Sequence, residues 1–141
     1  MANIIPFAFR GELLSGTHNF ANGGNSFKIA LYTGNPYSTS SDVYLTAQEV
    51  SASNTGYTTA GQVLGSQAVA SSTAVASVDF ADSIINSASF TAAFAAIYND
   101  TNGDKLCVVL DFGGNKTATN GTFTISFPNP STPANAIISM A

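Results

Sequence analysis

Apolar and polar residues alternate with a period of two along much of the chain, which is the pattern of a β-strand with one buried face. In residues 121–127, three large apolar residues alternate with Thr and Ser. The same alternation occurs in residues 27–32 and 74–80. These three segments are predicted to be strands with one face toward the core and the other toward water.

Two further segments, residues 92–98 and 105–112, are apolar on both faces. Such strands are typical of the centre of a sheet that is covered on two sides. The residues between them include Asn102-Gly103, and an Asn-Gly pair between two apolar runs is a strong signal for a hairpin turn. We therefore predict one antiparallel β-hairpin over residues 92–112.

Helix signals are confined to residues 10–15 and 46–50, and in the second segment Thr46 and Glu49 have capping-box spacing. Neither segment is long enough to form a layer. Many short strands with little helix indicate an all-β protein, a single domain over residues 1–141. The expected architecture is an antiparallel β-sandwich or jelly roll with one or two short helices. Further strands are predicted at 3–9, 58–69, 84–90 and 136–140, and turns at 23–24, 34–36 and 113–115.

The composition is poor in charge, with four Lys or Arg and eight Asp or Glu among 141 residues. This is 9%, where roughly 25% is usual for soluble domains. A hydrophobic content of 45% is enough for a core and argues against disorder. No run of 18 apolar residues is present, so no membrane span is expected. Neutral Ser, Thr and Asn, about a third of the chain, occupy the polar positions instead.

The distribution of the charges and of the single cysteine excludes several functions. The net charge is −4, and Arg10, Lys28, Lys105 and Lys116 are scattered along the chain. Direct binding to nucleic acid needs clustered Lys and Arg, so it is not expected. The only cysteine, Cys107, rules out an internal disulfide. The N-terminus lacks the charged and apolar regions of a signal peptide, so synthesis in a cytoplasm is expected.

Three features have the residue types of a reactive site. His18 is the only histidine, and no Gly-x-Ser-x-Gly motif accompanies it, so a structural or interface role is favoured over catalysis. Cys107 lies within a predicted apolar strand and is expected to be a buried small hydrophobe. Residues 100–104 resemble a calcium loop, but the Gly and Glu of the EF-hand are misplaced, which favours a solvated turn. No catalytic residue, metal or cofactor is predicted.

The N-terminal segment 1–9 is unusually apolar and carries Ile4, Ile5, Phe7 and Phe9. It is expected to be either an edge strand of the sandwich or an arm that docks on a partner. An arm of this kind would add a strand to an exposed edge of its neighbour and so satisfy backbone groups without charge. These four residues are the candidate partner interface.

Five short motifs follow one another along the chain: FKIALYT (27–33), AQEVS (47–51), TGYTTAG (55–61), AAIYNDT (95–101) and VLDFGG (109–114). In this order and spacing they resemble a family of small virion proteins of tailed bacteriophages, in which the order recurs along the whole length. The matching order spans Phe27 to Phe127. One departure is that the family often has an aromatic residue, commonly Trp, after the third motif, where this chain has an Ala-rich stretch and Phe80.

This resemblance implies a non-enzymatic structural protein of the virion, assembled in the host cytoplasm. A capsid decoration or cement protein, which stabilises the phage head by binding the major capsid protein, is favoured because no long shaft region is present. A homo-oligomer is expected, and a trimer suits a three-fold position of a capsid. Two alternatives stay open: a tail or fibre component that contacts a host surface glycan, and a small hydrolase built on a β-sandwich.

Overall fold

The structure, a computed structural model, describes residues 3–72, 74–128 and 136–140. Over these residues the strands form two antiparallel sheets, one of four strands in the order β2-β1-β5-β6 and one of three in the order β3-β4-β7. The prediction of a mostly β chain with a short helix is confirmed. The elements are α1 (Phe7–Leu14), β1 (Phe27–Tyr32), β2 (Gln62–Val63), β3 (Ala68–Ser71), β4 (Ala76–Asp79), β5 (Ser83–Asn99), β6 (Lys105–Ile125) and β7 (Ile138–Met140).

The predicted hairpin is present as β5 and β6, and it is longer than expected. The segments 84–90 and 92–98, predicted as two strands, join in β5, while β6 runs through the turn predicted at 113–115. The prediction of a turn is wrong, because residues 112–115 form a bulge within β6 opposite the single residue Ala93. Two glycines in this bulge have positive φ, which lets the backbone loop out while the ladder resumes beyond it.

Strand β1 matches its predicted bounds but not its predicted exposure. It pairs along its whole length with β5, and its alternate faces are both buried. Ala30 and Tyr32, expected on the wet face, are fully buried. The reason is that the loop after β1 packs on this face, which the sequence pattern predicts to be exposed to water.

The N-terminal prediction is wrong in its secondary structure. The strand expected over 3–9 is reduced to one bridge, between Ile4 and Val109, and the helix begins at Phe7 rather than at residue 10. Pro6 explains the early start, because its fixed φ suits the entry to a helix and its missing N–H costs nothing there.

The segment 46–50 is a turn rather than a helix, since Gln48 has φ +61°. The predicted strand 58–69 is divided into β2 and β3. Ser66, between the two strands, has φ +52°, which interrupts an extended strand there. Ala60 and Gly61 also have positive φ, so the strand cannot begin before β2.

The larger hydrophobic cluster takes residues from both sheets and from α1. At its centre the rings of Phe20 and Phe27 stack with centroids 4.3 Å apart, and Phe80 packs edge-on against both. Val78 and Ile138 join it from the three-stranded sheet. No helix within 3–72, 74–128 and 136–140 is long and apolar enough to cross a membrane.

Candidate functional site

The four residues predicted as a partner interface lie in different environments. Ile4 pairs with Val109 of β6, and Ile5 is half-buried against the core. Phe9 is only 1% exposed and belongs to the core of the domain itself. Phe7 is 62% exposed, so among these four it is the residue that presents most of its side chain to solvent.

Helix α1 is apolar on most of its surface, and one of its faces is open. Phe9 inserts into the core, whereas Leu14 is 88% exposed. The guanidinium of Arg10 lies 5.8 Å from the ring centroid of Phe7, which places a positive charge on the open side. Helices that are apolar all round are normally covered on all sides. The open face of α1 therefore has the character of a contact surface.

A groove of about 390 Å³ separates α1 from β7. On the helix side it is lined by Arg10, Leu13 and Leu14, and on the strand side by all three residues of β7. The groove therefore runs along the whole length of β7.

A second groove of about 390 Å³, almost entirely apolar, lies between the three-stranded sheet and the segment around Phe20. It shares Leu13, Ile138 and Met140 with the first groove, so the two are continuous around β7. We call this combined feature the α1–β7 surface, and it is defined by the exposed residues Phe7, Leu14 and Met140 with the two grooves. Sequence periodicity missed Leu14 and Met140 because their exposure depends on tertiary packing.

A polar cluster behind α1 holds the helix against the sheet. The carboxylate of Glu12 contacts Lys105 Nζ at 3.1 Å and His18 Nε2 at 2.8 Å. On the other side of the ring, the amide of Asn99 donates to His18 Nδ1 at 3.1 Å. Because Nδ1 accepts, the ring proton lies on Nε2 and is donated to Glu12. The His18 ring therefore links α1, through Glu12, to the end of β5, through Asn99.

The same cluster contains the thiol of Cys107, with Sγ 3.7 Å from His18 Nδ1. A Cys–His–Glu arrangement is the composition of a nucleophilic triad. Here burial, with a smaller contribution from Glu12, raises the pKa of the thiol well above its usual value. The His18 side chain is fully enclosed. The thiol is therefore protonated, and it lies with the imidazole in the packed region behind α1.

The turn that resembles a calcium loop uses its side chains internally. The Oδ1 atom of Asn99 accepts hydrogen bonds from the backbone N–H groups of Thr101 and Asn102, each at 3.1 Å. Asp100 forms an ion pair with Lys28 at 3.1 Å. Within the part of the chain that the structure describes, no group of three His, Cys, Asp or Glu side chains is placed to hold a metal ion.

All five tyrosines of the chain gather around Glu49. Four of them pack in the smaller cluster on one face of the four-stranded sheet, whereas the ring of Tyr57 packs in the larger core. The hydroxyls of Tyr44 and Tyr57 donate to the Glu49 carboxylate at 2.5 and 2.6 Å, and the backbone N–H of Ala60 donates to it at 2.7 Å. Tyr98 stacks on Tyr44 with ring centroids 4.8 Å apart. We call this group the tyrosine cluster; its members are Tyr32, Tyr37, Tyr44, Tyr57, Tyr98 and Glu49.

The tyrosine cluster joins the loop between β1 and β2 to the sheet. Burial raises the pKa of Tyr57 above its usual value, and its hydrogen bond to Glu49 raises it further. The hydroxyls therefore stay protonated and act as donors to a carboxylate. Tyr32 Oη donates to the carbonyl of Leu45 at 2.8 Å, and Leu45 N–H donates to Tyr37 Oη at 2.9 Å. This network replaces the helix expected at residues 46–50.

No protein-family model, curated protein or solved structure matches the chain. The features that bear on function are therefore the α1–β7 surface, the charge-poor exterior and the motif residues of the tyrosine cluster.

Proposed function

We propose that this protein is a structural subunit of a bacteriophage virion. Its role is that of a capsid decoration or cement protein, a β-sandwich that binds the major capsid protein and stabilises the head as a homo-oligomer. The α1–β7 surface carries this proposal, because it leaves Leu14 88% exposed and Met140 54% exposed on a small domain. Contiguous exposed apolar surface of this kind marks sites where proteins associate.

The charge-poor exterior supports a role in close packing. Nine per cent of the residues are charged, and Ser, Thr and Asn occupy the polar positions. Covering a charged group costs desolvation energy, and the fully buried centres of protein interfaces are depleted in charge. Covering a neutral polar surface therefore costs little desolvation energy when many copies pack side by side on a capsid.

The motif residues support the resemblance to the virion family at the level of the fold. Tyr32, Glu49, Tyr57 and Tyr98 come from four different motifs, and all of them belong to the tyrosine cluster. These residues hold the long loop on the sheet, so their order along the chain reflects one architecture.

The proposed mechanism is mass action. A subunit that binds the assembled head but not the free capsid protein shifts the equilibrium toward the assembled state. Stable contacts of this kind bury about 1,200–2,000 Å² in total. The α1–β7 surface supplies the apolar centre of such a contact.

Co-sedimentation with separated heads and tails tests this proposal. We expect the protein to occur in many copies on heads, and Leu14→Lys to lose head binding. Ile84→Lys is the matched control, because Ile84 is a large apolar residue that is 52% exposed on β5 and lines neither groove. Low copy number confined to tails, with binding to host glycan, would establish the fibre alternative instead.

Hydrolytic activity of the purified protein that is lost in His18→Ala would favour the enzyme alternative over the structural role.

A further inference from the structure

The chain contains three Asn-Gly pairs, at residues 22–23, 102–103 and 120–121. In such a pair the backbone nitrogen of glycine can attack the side-chain carbonyl carbon of asparagine, because glycine has no side chain to hinder the approach. The attack needs a carboxamide that is free to rotate and a backbone N–H that is not committed to an acceptor. The three pairs differ in both respects.

The side chain of Asn102 is held in place. Its Nδ2 atom donates to the carbonyl of Thr17 at 2.6 Å, and its backbone N–H donates to Asn99 Oδ1 at 3.1 Å. A longer contact of 3.4 Å joins Nδ2 to Asn25 Oδ1. The side chain therefore cannot turn its carbonyl carbon toward the nitrogen of Gly103 unless these bonds break.

Asn120 is fixed within the β5–β6 hairpin. Its Oδ1 atom accepts a hydrogen bond from Ser89 Oγ at 3.2 Å, and its backbone N–H donates to the same Oγ at 2.9 Å. Gly121 stands opposite Ala88 in the ladder between the two strands. A reaction at this pair therefore requires the hairpin to open locally.

Asn22 is exposed and lies in the turn before β1. Over residues 3–72, 74–128 and 136–140, no hydrogen bond involves the Asn22 side chain or the backbone N–H of Gly23. One bond closes the turn, from Gly24 N–H to the carbonyl of Ala21 at 2.8 Å. No atom from another part of the chain lies within 4 Å of the position that a Cβ at Gly23 would take. Both reacting groups are thus free, and little holds the turn against the rotation that brings them together.

We propose that Asn22 is a site of spontaneous deamidation. The backbone nitrogen of Gly23 attacks the side-chain carbonyl carbon of Asn22, and a C–N bond forms. The bond from that carbon to Nδ2 breaks, and the Gly23 proton leaves with the amide nitrogen as ammonia, which gives a succinimide. Water then opens the ring at one of its two carbonyl carbons, so the product is aspartate or isoaspartate. The reaction consumes one water and involves no oxidation or reduction.

The modification changes the charge and the backbone of this turn. Each conversion adds one negative charge to a chain whose net charge is −4. Isoaspartate also lengthens the main chain by one carbon atom, between Ala21, whose carbonyl accepts from Gln67 Nε2 at 2.9 Å, and Asn25, whose Oδ1 accepts from Asn19 N–H at 2.7 Å. Asn22 lines neither groove of the α1–β7 surface, so this inference does not depend on the proposed function.

Peptide mass spectrometry of protein stored at mildly alkaline pH tests the site. Samples of the folded protein and of the protein in urea are digested after increasing times, and conversion is measured at each Asn-Gly pair. Electron-transfer fragmentation distinguishes isoaspartate from aspartate. In urea the three pairs should convert at similar rates, because glycine follows each asparagine. In the folded protein we expect Asn22 to convert at least about tenfold faster than Asn102 or Asn120, because these two must first open locally.

Isoelectric focusing of two variants gives an independent readout. Stored wild-type protein should accumulate an acidic form, and Asn22→Gln should not, because glutamine would have to close a larger and more slowly formed ring. Asn120→Gln is the matched control, since Asn120 is also an exposed asparagine before glycine, and it should accumulate the acidic form as the wild type does. The proposal is overturned if Asn22 converts no faster than Asn102 and Asn120 in the folded protein, or if the acidic form persists in Asn22→Gln.

Discussion

The hydroxyl of Tyr57 makes two hydrogen bonds, and its removal tests the role of the tyrosine cluster. It donates to Glu49 at 2.6 Å and accepts from the N–H of Leu31 at 3.0 Å. Tyr57→Phe removes the hydroxyl and leaves the ring, which packs against Phe90, in place. Leu31 is fully buried, so its N–H is left without a partner when the hydroxyl is lost.

The size of the effect follows from these two bonds. A hydrogen bond to a charged group contributes about 1.5–3 kcal/mol, and a buried donor left unsatisfied costs about 1–3 kcal/mol. We expect Tyr57→Phe to lower the free energy of unfolding by about 3–5 kcal/mol. At about 2–4 °C per kcal/mol for domains slightly larger than this one, the melting temperature falls by roughly 10 °C or more.

Tyr44→Phe is the matched control. It removes a hydroxyl that also donates to Glu49, at 2.5 Å, but no backbone N–H depends on it and the residue is partly exposed. We expect a loss of about 1–2 kcal/mol for Tyr44→Phe. Urea unfolding of both variants measures the difference. Equal losses in the two variants would refute the reasoning, because the Leu31 N–H would then contribute nothing.

Further expectations concern pH, thiol reactivity and backbone packing. Burial alone would raise the pKa of Glu12, but its hydrogen bonds to His18 and Lys105 outweigh burial and hold it below its usual value. The ionised Glu12 carboxylate therefore stabilises the folded protein at pH values above the pKa that Glu12 has in the unfolded chain. This stabilisation is lost as the pH falls through the pKa that Glu12 has in the folded protein, so the unfolding curves of wild type and Glu12→Gln should converge in acid. Cys107 should resist a thiol reagent until the chain unfolds, because it is fully buried; rapid labelling of the native protein would contradict this. Gly61→Ala should destabilise more than Gly113→Ala, since both have positive φ but only at Gly61 would a methyl group collide with the backbone of β1; thermal melts compare the two.

Local sequence signals located the central hairpin and β1 well. The Asn102-Gly103 turn lies between two apolar runs, and alternation in residues 27–32 gives the correct strand bounds. These elements are encoded by residues adjacent in the chain, so a short window is sufficient to find them. The bulge at residues 112–115 escaped this reasoning because two glycines signal a turn and a bulge equally well.

Less of the candidate site could be predicted from the sequence. Phe7 and Phe9 are the same residue type two positions apart, yet Phe9 lies in the core and Phe7 faces solvent. The reason is that α1 begins directly after Pro6, and the helix directs the two side chains to different sides. The tyrosine cluster joins residues up to 66 positions apart, from Tyr32 to Tyr98. No periodicity connects such positions. The turn at Glu49 is a further example, since its carboxylate bonds to tyrosines rather than capping a helix.

The central claim is that this protein binds phage heads through the α1–β7 surface. Its most direct test is a binding titration of the purified protein onto isolated heads that lack it, with bound copies counted per head. The account predicts saturation at a fixed number of copies per head for wild type and for Ile84→Lys, and loss of binding for Leu14→Lys. Heads that bind Leu14→Lys as strongly as wild type, or that bind neither, would contradict it.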